Sequence, residues 1–531
     1  MKNFWRQGEP FVWGTAAALS ITLLLAAVLI VVVMVNGLGV FWPSRVALAT
    51  LQDGRQVMGE IVQREPVFEK SGERLQFKVG NRDLYGLDFR WVDEDQIARL
   101  DYPDGAAVLE RQEYGNFYGE LKSVSIDGTI PENGDPWQLL EKAHALTETR
   151  MAAVDRISRS LADLNVGMER MRQQHLELTY QGKSPEDQAV QRLESRMQQT
   201  HREFEDLVDR QTERLVEVRQ VTATFADASG TEREIEVAGL VRFYRPNQMS
   251  VVEKSLFYLG KLWELIVGEP RESNTEGGLF PAIFGTVMLI FVMSFFTFPL
   301  GVMAAVYLRE YAKEGVVVRL VRIAVNNLAG IPSIVYGIFG LAFFVYGIGS
   351  GIDQLFFPER LPTPTFGTGG ILWASLTLSL LTVPVVIVST EEALGAIPAG
   401  VRDGSLALGA TKFQTLVRIL LPMASPGIMT GLILAMARAA GEVAPLMITG
   451  VVKLAPALPL DGTFPFLHLD RKFMHLGFHI YDIGFQSPNV EAAKPMVFVT
   501  TMLLVLIVLV MSSIAIHLRN KMKKRYTSRA F

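Results

Sequence analysis

Arg438 and Glu442 are the residues whose types and spacing most invite chemistry. They stand four apart inside PGIMTGLILAMARAAGEVAPLMITG, residues 426–450, a run long enough to cross a bilayer. That spacing places both on one helix face. Charges at membrane depth are costly and normally face a bundle interior or a polar pathway. A guanidinium offers a planar fork of donors that can grip the oxygens of an anion two bonds at a time. Glu442 could neutralise that fork between encounters. The pair could also be a structural lock, and the sequence leaves both readings open. Ser333 and Tyr336 add hydroxyls just after the breaker residues Gly330 and Pro332. Irregular backbone at membrane depth often lines a pathway; a plain helix start is the competing reading.

Other chemistries find less support. His475 and His479 are four apart, a spacing that permits a metal, but no third ligand accompanies them, and no metal or other cofactor is expected. His175 falls on a helical seam and reads as an interface residue. No G-x-x-x-x-G-K-[ST] occurs, and GATK at 409–412 lacks the first glycine, so the chain does not bind ATP through a phosphate loop. No nucleophile–base–acid set is apparent, so the chain is not expected to be an enzyme. A net charge of -4 argues against nucleic acid as a partner.

The elements that must position these residues are mostly membrane spans. The chain has 531 residues, is 49% hydrophobic and contains no cysteine, which suits a membrane protein with a large unstapled soluble part. Six segments are apolar enough to span: 15–35, 281–308, 328–348, 371–389, 426–450 and 495–516. Lys2 and Arg6 precede the first. Arg309, Lys313, Arg319 and Arg322 lie in the loop after the second. The tail 519–531 is basic. This bias places both termini in the cytoplasm. The first span has too long an apolar core for a cleaved leader and no cleavage site, so it reads as an anchor.

Residues 40–280 form an outer insertion. A β module is expected over 45–125 and 221–245, with turns at Asp53-Gly54 and Ser229-Gly230. Between them, Val154, Ile157, Leu161, Leu164, Met168, Met171, His175 and Leu178 step three and four apart, a heptad seam. A second seam runs from Val190 to Val218, interrupted by Thr200 and Gln211. Ser184 reads as its helix cap, with Pro185 at the first turn. Residues 136–220 should therefore be an antiparallel coiled-coil hairpin projecting about 50 Å. The fold class is a mainly α membrane protein with six transmembrane helices plus an outer α+β insertion.

Ahead of Arg438 lies a polar loop, 391–424. Gly409 is followed after nine residues by Ile419, then Leu421 and Pro422. This resembles the EAA loop of ABC importer permeases. Asp403, Gly404 and Ser405 occupy the EAA positions, keeping only an acid and two small residues. With NNLAGIPSIVYGIFGL and RAAGEVAPL, the last 250 or so residues resemble the phosphate ABC transporter permease of the PstA type; the outer insertion departs from that family's short form. The resemblance implies a five-helix permease core, 281–518, after the first transmembrane helix, 15–39, in the bacterial inner membrane. It implies a loop that docks on an ATPase, and alternating-access import of phosphate. Its partners would be a second, homologous permease subunit, two copies of an ATP-binding subunit, a periplasmic phosphate-binding protein and membrane lipid. Another oxyanion such as sulfate or molybdate is the near alternative. A membrane anchor or mechanical transmitter using the coiled coil is the distant one.

Overall fold

In a computed structural model of the chain, residues 9–67, 72–131, 134–271, 274–462, 464–487 and 490–527 are described. Lys2 and Arg6 lie outside them, as do residues 528–531 of the basic tail. Among the described residues, six helices are long and apolar enough to cross a membrane: Phe11–Gly39, Phe280–Tyr311, Ser333–Phe356, Ile371–Gly395, Lys412–Ala440 and Val490–Lys524.

Among its described residues the insertion holds two five-stranded antiparallel sheets and a two-stranded pair of Pro270–Arg271 with Glu276–Gly277. The first has the order β4-β3-β2-β1-β5, from β1 (Val46–Leu51), β2 (Gln56–Pro66), β3 (Glu73–Lys78), β4 (Phe89–Asp93) and β5 (Ile97–Asp101). The second has the order β10-β6-β7-β8-β9, from β6 (Ala107–Arg111), β7 (Phe117–Ser125), β8 (Thr222–Ala226), β9 (Glu232–Glu236) and β10 (Leu240–Tyr244). Alternating apolar residues give each sheet a buried face. Val46, Met58, Ala106, Val108 and Tyr118 form a cluster drawing on strands of both sheets. Gly54 and Gly230 have φ of +81° and so make the tight turns that side-chain-bearing residues resist.

The helical hairpin is inserted between the paired strands β7 and β8. It comprises Pro136–Tyr180 and Gln188–Arg219. Every residue of the first seam, Val154 through Leu178, is buried or half-buried, as are Val190, Leu193, Met197, Phe204, Leu207, Leu215 and Val218 opposite. Polar residues also pair across the seam. Gln211 donates to Ser158 Oγ at 2.8 Å, and His175 Nε2 meets Glu194 at 3.2 Å. The cap differs from expectation: Ser184 closes a turn by accepting from Glu186 N, and the second helix starts three residues later with Asp187 accepting from Ala189 N. The arm does not project freely, because Arg360 Nη2, in the connection between the third and fourth spans, donates to Gln173 at 3.1 Å.

Three segments depart from the sequence reading. The loop after the second span contains an amphipathic helix, Val316–Leu328, so the third span begins at Ser333 and not at Leu328. Residues Val251–Val267 form a helix with a Ser250–Glu253 capping box. The fifth span is not one helix over 426–450; it starts at Lys412, ends at Ala440, and a short helix follows at Ala444–Thr449.

Candidate functional site

Ile371–Gly395 is the helix against which the site is built. It packs on Phe280–Val306 and on Leu421–Ala440, and small residues bring the backbones together. A Cβ on Gly301 would lie 2.7 Å from Val386, on Gly427 2.5 Å from Ala393, and on Gly431 2.6 Å from Ser389. The last two contacts set an antiparallel register. Extended by two turns, it puts Arg438 level with Thr382, near the middle of Ile371–Gly395. Arg438 therefore stands at mid-bundle depth. The helix stops there, because Pro445 has no N–H for the carbonyl of Gly441 and its ring would clash with that carbonyl. Glu442 accordingly lies in the break and not one turn along the same face. The two still meet, Arg438 Nε to Glu442 Oε1 at 3.7 Å, with side-chain exposures of 33% and 20%.

The break packs on the start of the third span. A Cβ on Gly337 would sit 2.8 Å from Pro445 Cα. Tyr336 is buried, its hydroxyl donates to Leu328 O at 2.7 Å, and it shares a packed cluster with Ala439 and Leu446 on either side of the break. Ser333 is half-buried one turn before it. The fold thus gathers Arg438, Glu442 and Tyr336, with Ser333 beside them. It also holds a hydroxyl cluster that residue spacing does not reveal: Thr297 Oγ1 bonds Ser379 Oγ at 2.9 Å and lies 3.2 Å from Thr382 Oγ1. All three residues are buried between two helices, where hydroxyls join helices in place of water.

The second group lies at the other end of the Arg438 helix. From Lys412 to Arg438 is about 39 Å at helical rise. The expected start of the span at Pro426 is absent, because a wide π turn at Leu416–Leu420, with only Leu421 between it and Pro422, lets the helix run through. Before it, Ala399–Ala407 forms a short helix and Gly409 turns the chain with φ +82°. Asp403 and Gly404 are exposed, whereas Ser405 is buried and bonds Thr415 Oγ1 at 2.8 Å. Ile419, Leu421 and Pro422 are half-buried, and Leu421 packs on the cluster of Leu394, Ile397, Leu416 and Leu420. Arg402 ties this base to the first core span, reaching Glu310 at 2.9 Å and Leu394 O at 2.7 Å. The turn's tip carries bare apolar side chains, Leu408 at 90% exposure and Phe413 at 65%.

His475 and His479 fall outside the six spans and serve the packing. His475 Nδ1 accepts from Gly477 N; His479 reaches Asn274 O and Thr500 Oγ1, so both its ring nitrogens are engaged. Burial holds both rings neutral, pushing His475 down to about 3 and His479 to about 4.

Residues 297–524 match the family of the binding-protein-dependent transport system inner membrane component. A probable ABC transporter permease protein, YqgI of Bacillus subtilis, is 33% identical over 224 residues, 41% of this chain and 70% of that protein. The phosphate transport system permease protein PstA of Mycobacterium leprae is 38% identical over 172 residues, 32% of this chain and 51% of that protein. The probable phosphate transport system permease protein PstA of Methanocaldococcus jannaschii is 32% identical over 248 residues, 46% of this chain and 75% of that protein. The chain thus spans between about half and three quarters of the length of these relatives.

Proposed function

We propose, from the premise that this chain belongs to the binding-protein-dependent transport system inner membrane components, that it is the permease subunit of an ATP-driven importer of inorganic phosphate. It is a multi-pass inner-membrane protein with six apolar helices among its described residues. The observation that carries the reading is the half-exposed Arg438–Glu442 pair at mid-bundle depth. Lipid cannot face such a pair at low cost. The neighbouring Leu434 is 54% exposed and Ala437 is also exposed. That open face calls for a second, homologous permease subunit, with a polar pathway between the two.

In this mechanism phosphate sheds water against charge-assisted donors. The Arg438 guanidinium exchanges Glu442 for the anion, with the Tyr336 and Ser333 hydroxyls at its side. The helix break lets these groups re-aim without unfolding a continuous helix. The coupling end is the turn at Gly409, where Leu408 and Phe413 would insert into an ATP-binding subunit, one of two copies. The continuous helix from Lys412 to Ala440 then joins the docking turn to the anion site as one rigid rod. A phosphate-binding protein would deliver substrate on the side of the β module, with both termini on the opposite, cytoplasmic side. The names of the relatives support phosphate over sulfate or molybdate.

The test is uptake of radiolabelled phosphate in cells with and without this chain, with sulfate and molybdate as competitors. Phosphate uptake that depends on the chain and resists both competitors is expected. Unchanged phosphate uptake, or equal competition, overturns the substrate assignment.

A further inference from the structure

The helix Val251–Val267 wears its amphipathicity the wrong way round for a water-soluble surface. Its residues at Val252, Leu256, Leu259, Trp263 and Ile266 step four and three apart along one face. They are exposed at 69%, 64%, 60%, 68% and 45%. Lys261 and Glu264 turn inward. Lys261 pairs with Glu110 of the β module, and Glu264 meets Arg242 at 3.2 Å and Arg271 at 2.8 Å. Phe257 packs beneath Arg242 and against Tyr244 at 4.5 Å between ring centroids. Five large apolar side chains in one exposed stripe, above a buried ionic layer, require an apolar cover.

The helix's attachment shows where that cover must come from. Near its start, Lys254 Nζ donates to Pro43 O at 3.0 Å and Tyr258 lies 6.1 Å from Trp42, just past the end of the first span. Near its end, Leu265 packs with Leu279, Ala282, Met496 and Val499, where the second span begins and the last span rises. Gly268 O accepts from Phe280 N, the first residue of the second span. A helix pinned at both ends to the exits of different spans lies across the bundle at the membrane boundary, about 25 Å long.

We infer that Val251–Val267 is an interfacial helix whose Val252–Leu256–Leu259–Trp263–Ile266 stripe is immersed in the lipid leaflet nearer the β module. Its inward charges clamp that module to the membrane surface through Glu110 and Arg242. Interfacial helices bury an apolar face to the level of the headgroup–acyl boundary, where tryptophan is favoured. The inference depends on the spans lying in a membrane and not on which ion is carried.

The chain has no cysteine, so Leu256→Cys, Leu259→Cys and Trp263→Cys each give one label site in the full chain. Gln199→Cys, exposed on the hairpin, is the aqueous reference. Each variant carries a bimane label and is reconstituted in phosphatidylethanolamine–phosphatidylglycerol vesicles. The three helix sites should be quenched by lipid nitroxide at the upper acyl chain. Iodide should quench them several-fold less than it quenches Gln199→Cys. Iodide quenching equal to the reference puts the stripe in water and overturns the inference. Shielding from both quenchers also overturns it, and assigns the stripe to a protein cover such as a second copy of this chain.

Discussion

Arg438→Ala separates a transport role from a structural one, because the two losses differ in size. At 3.7 Å and an effective dielectric of about 20, unit charges attract by about 4 kcal/mol. Both side chains keep contact with the surroundings, so the net loss of stability on breaking the pair is roughly 1–2 kcal/mol. The chain should still accumulate. The transport loss is larger. A guanidinium gripping phosphate with two charge-assisted bonds, each about 1.5–3 kcal/mol, forfeits about 3–6 kcal/mol. At 1.4 kcal/mol per factor of ten, uptake should drop at least about 100-fold. Arg438→Lys keeps the charge and one bond, and should lose roughly tenfold or somewhat more. Glu442→Gln removes the competing carboxylate, so half-saturation should move to lower phosphate while maximal rate falls. The assay is initial-rate phosphate uptake normalised to the amount of chain in the membrane. Near-normal uptake by Arg438→Ala at normal abundance would refute the exchange mechanism and leave the pair as a lock on the helix break.

Gly409→Val should uncouple the ATPase, because φ +82° costs a residue with a side chain about 1–2 kcal/mol and a β-branched one more; membrane insertion should persist while co-purification of the ATP-binding subunit is lost. Leu408→Asp should have the same effect with an unchanged melting temperature, since that side chain touches little in the isolated chain. Gln173→Cys with Arg360→Cys should be joined by a short bis-maleimide in intact membranes, and no cross-link would mean that the arm swings clear of the core. His475 and His479 are depressed to about 3 and 4, so the unfolded chain binds protons that the folded one does not. Their contribution is complete above about pH 6.5 and should decline by up to about 1.4 kcal/mol per pH unit per ring down to about pH 4. Melting curves at pH 8 and pH 5 check this, and His479→Gln should flatten the dependence.

What the sequence made legible is what local periodicity controls. The seam from Val154 to Leu178 predicts which residues along that stretch of the first hairpin helix turn inward, because a coiled coil has few ways to bury a three–four pattern. The turn at Gly409 is legible for a similar reason: a left-handed position favours glycine whatever surrounds it. Helix boundaries inside apolar stretches are harder, since composition hardly changes across them. Residues 426–450 read as one span by hydropathy, yet Pro445 signals the break by denying Gly441 its hydrogen bond. Pro422 carries a similar signal and does not break its helix, because the π turn before it absorbs the mismatch. A proline fixes what cannot be bonded, and packing decides whether the helix stops or widens.

The helix Val251–Val267 illustrates the remaining gap. Its Ser250–Glu253 box and its apolar stripe are both visible in the sequence. The usual inference places such a stripe against the protein core. Here the core side is taken by Lys261, Glu264 and their partners, because the helix is bounded by charged strands on one side and by the ends of three spans on the other. Which face of an amphipathic helix is inside depends on the solvent that surrounds it, and sequence periodicity carries no record of the solvent. The same ambiguity governs Arg438. Half-exposure in the isolated chain would be unremarkable in water, but at mid-bundle depth it requires a polar surrounding that this chain alone does not provide. A second permease subunit would supply that surrounding, and the proposed anion site would then be complete only in the assembly.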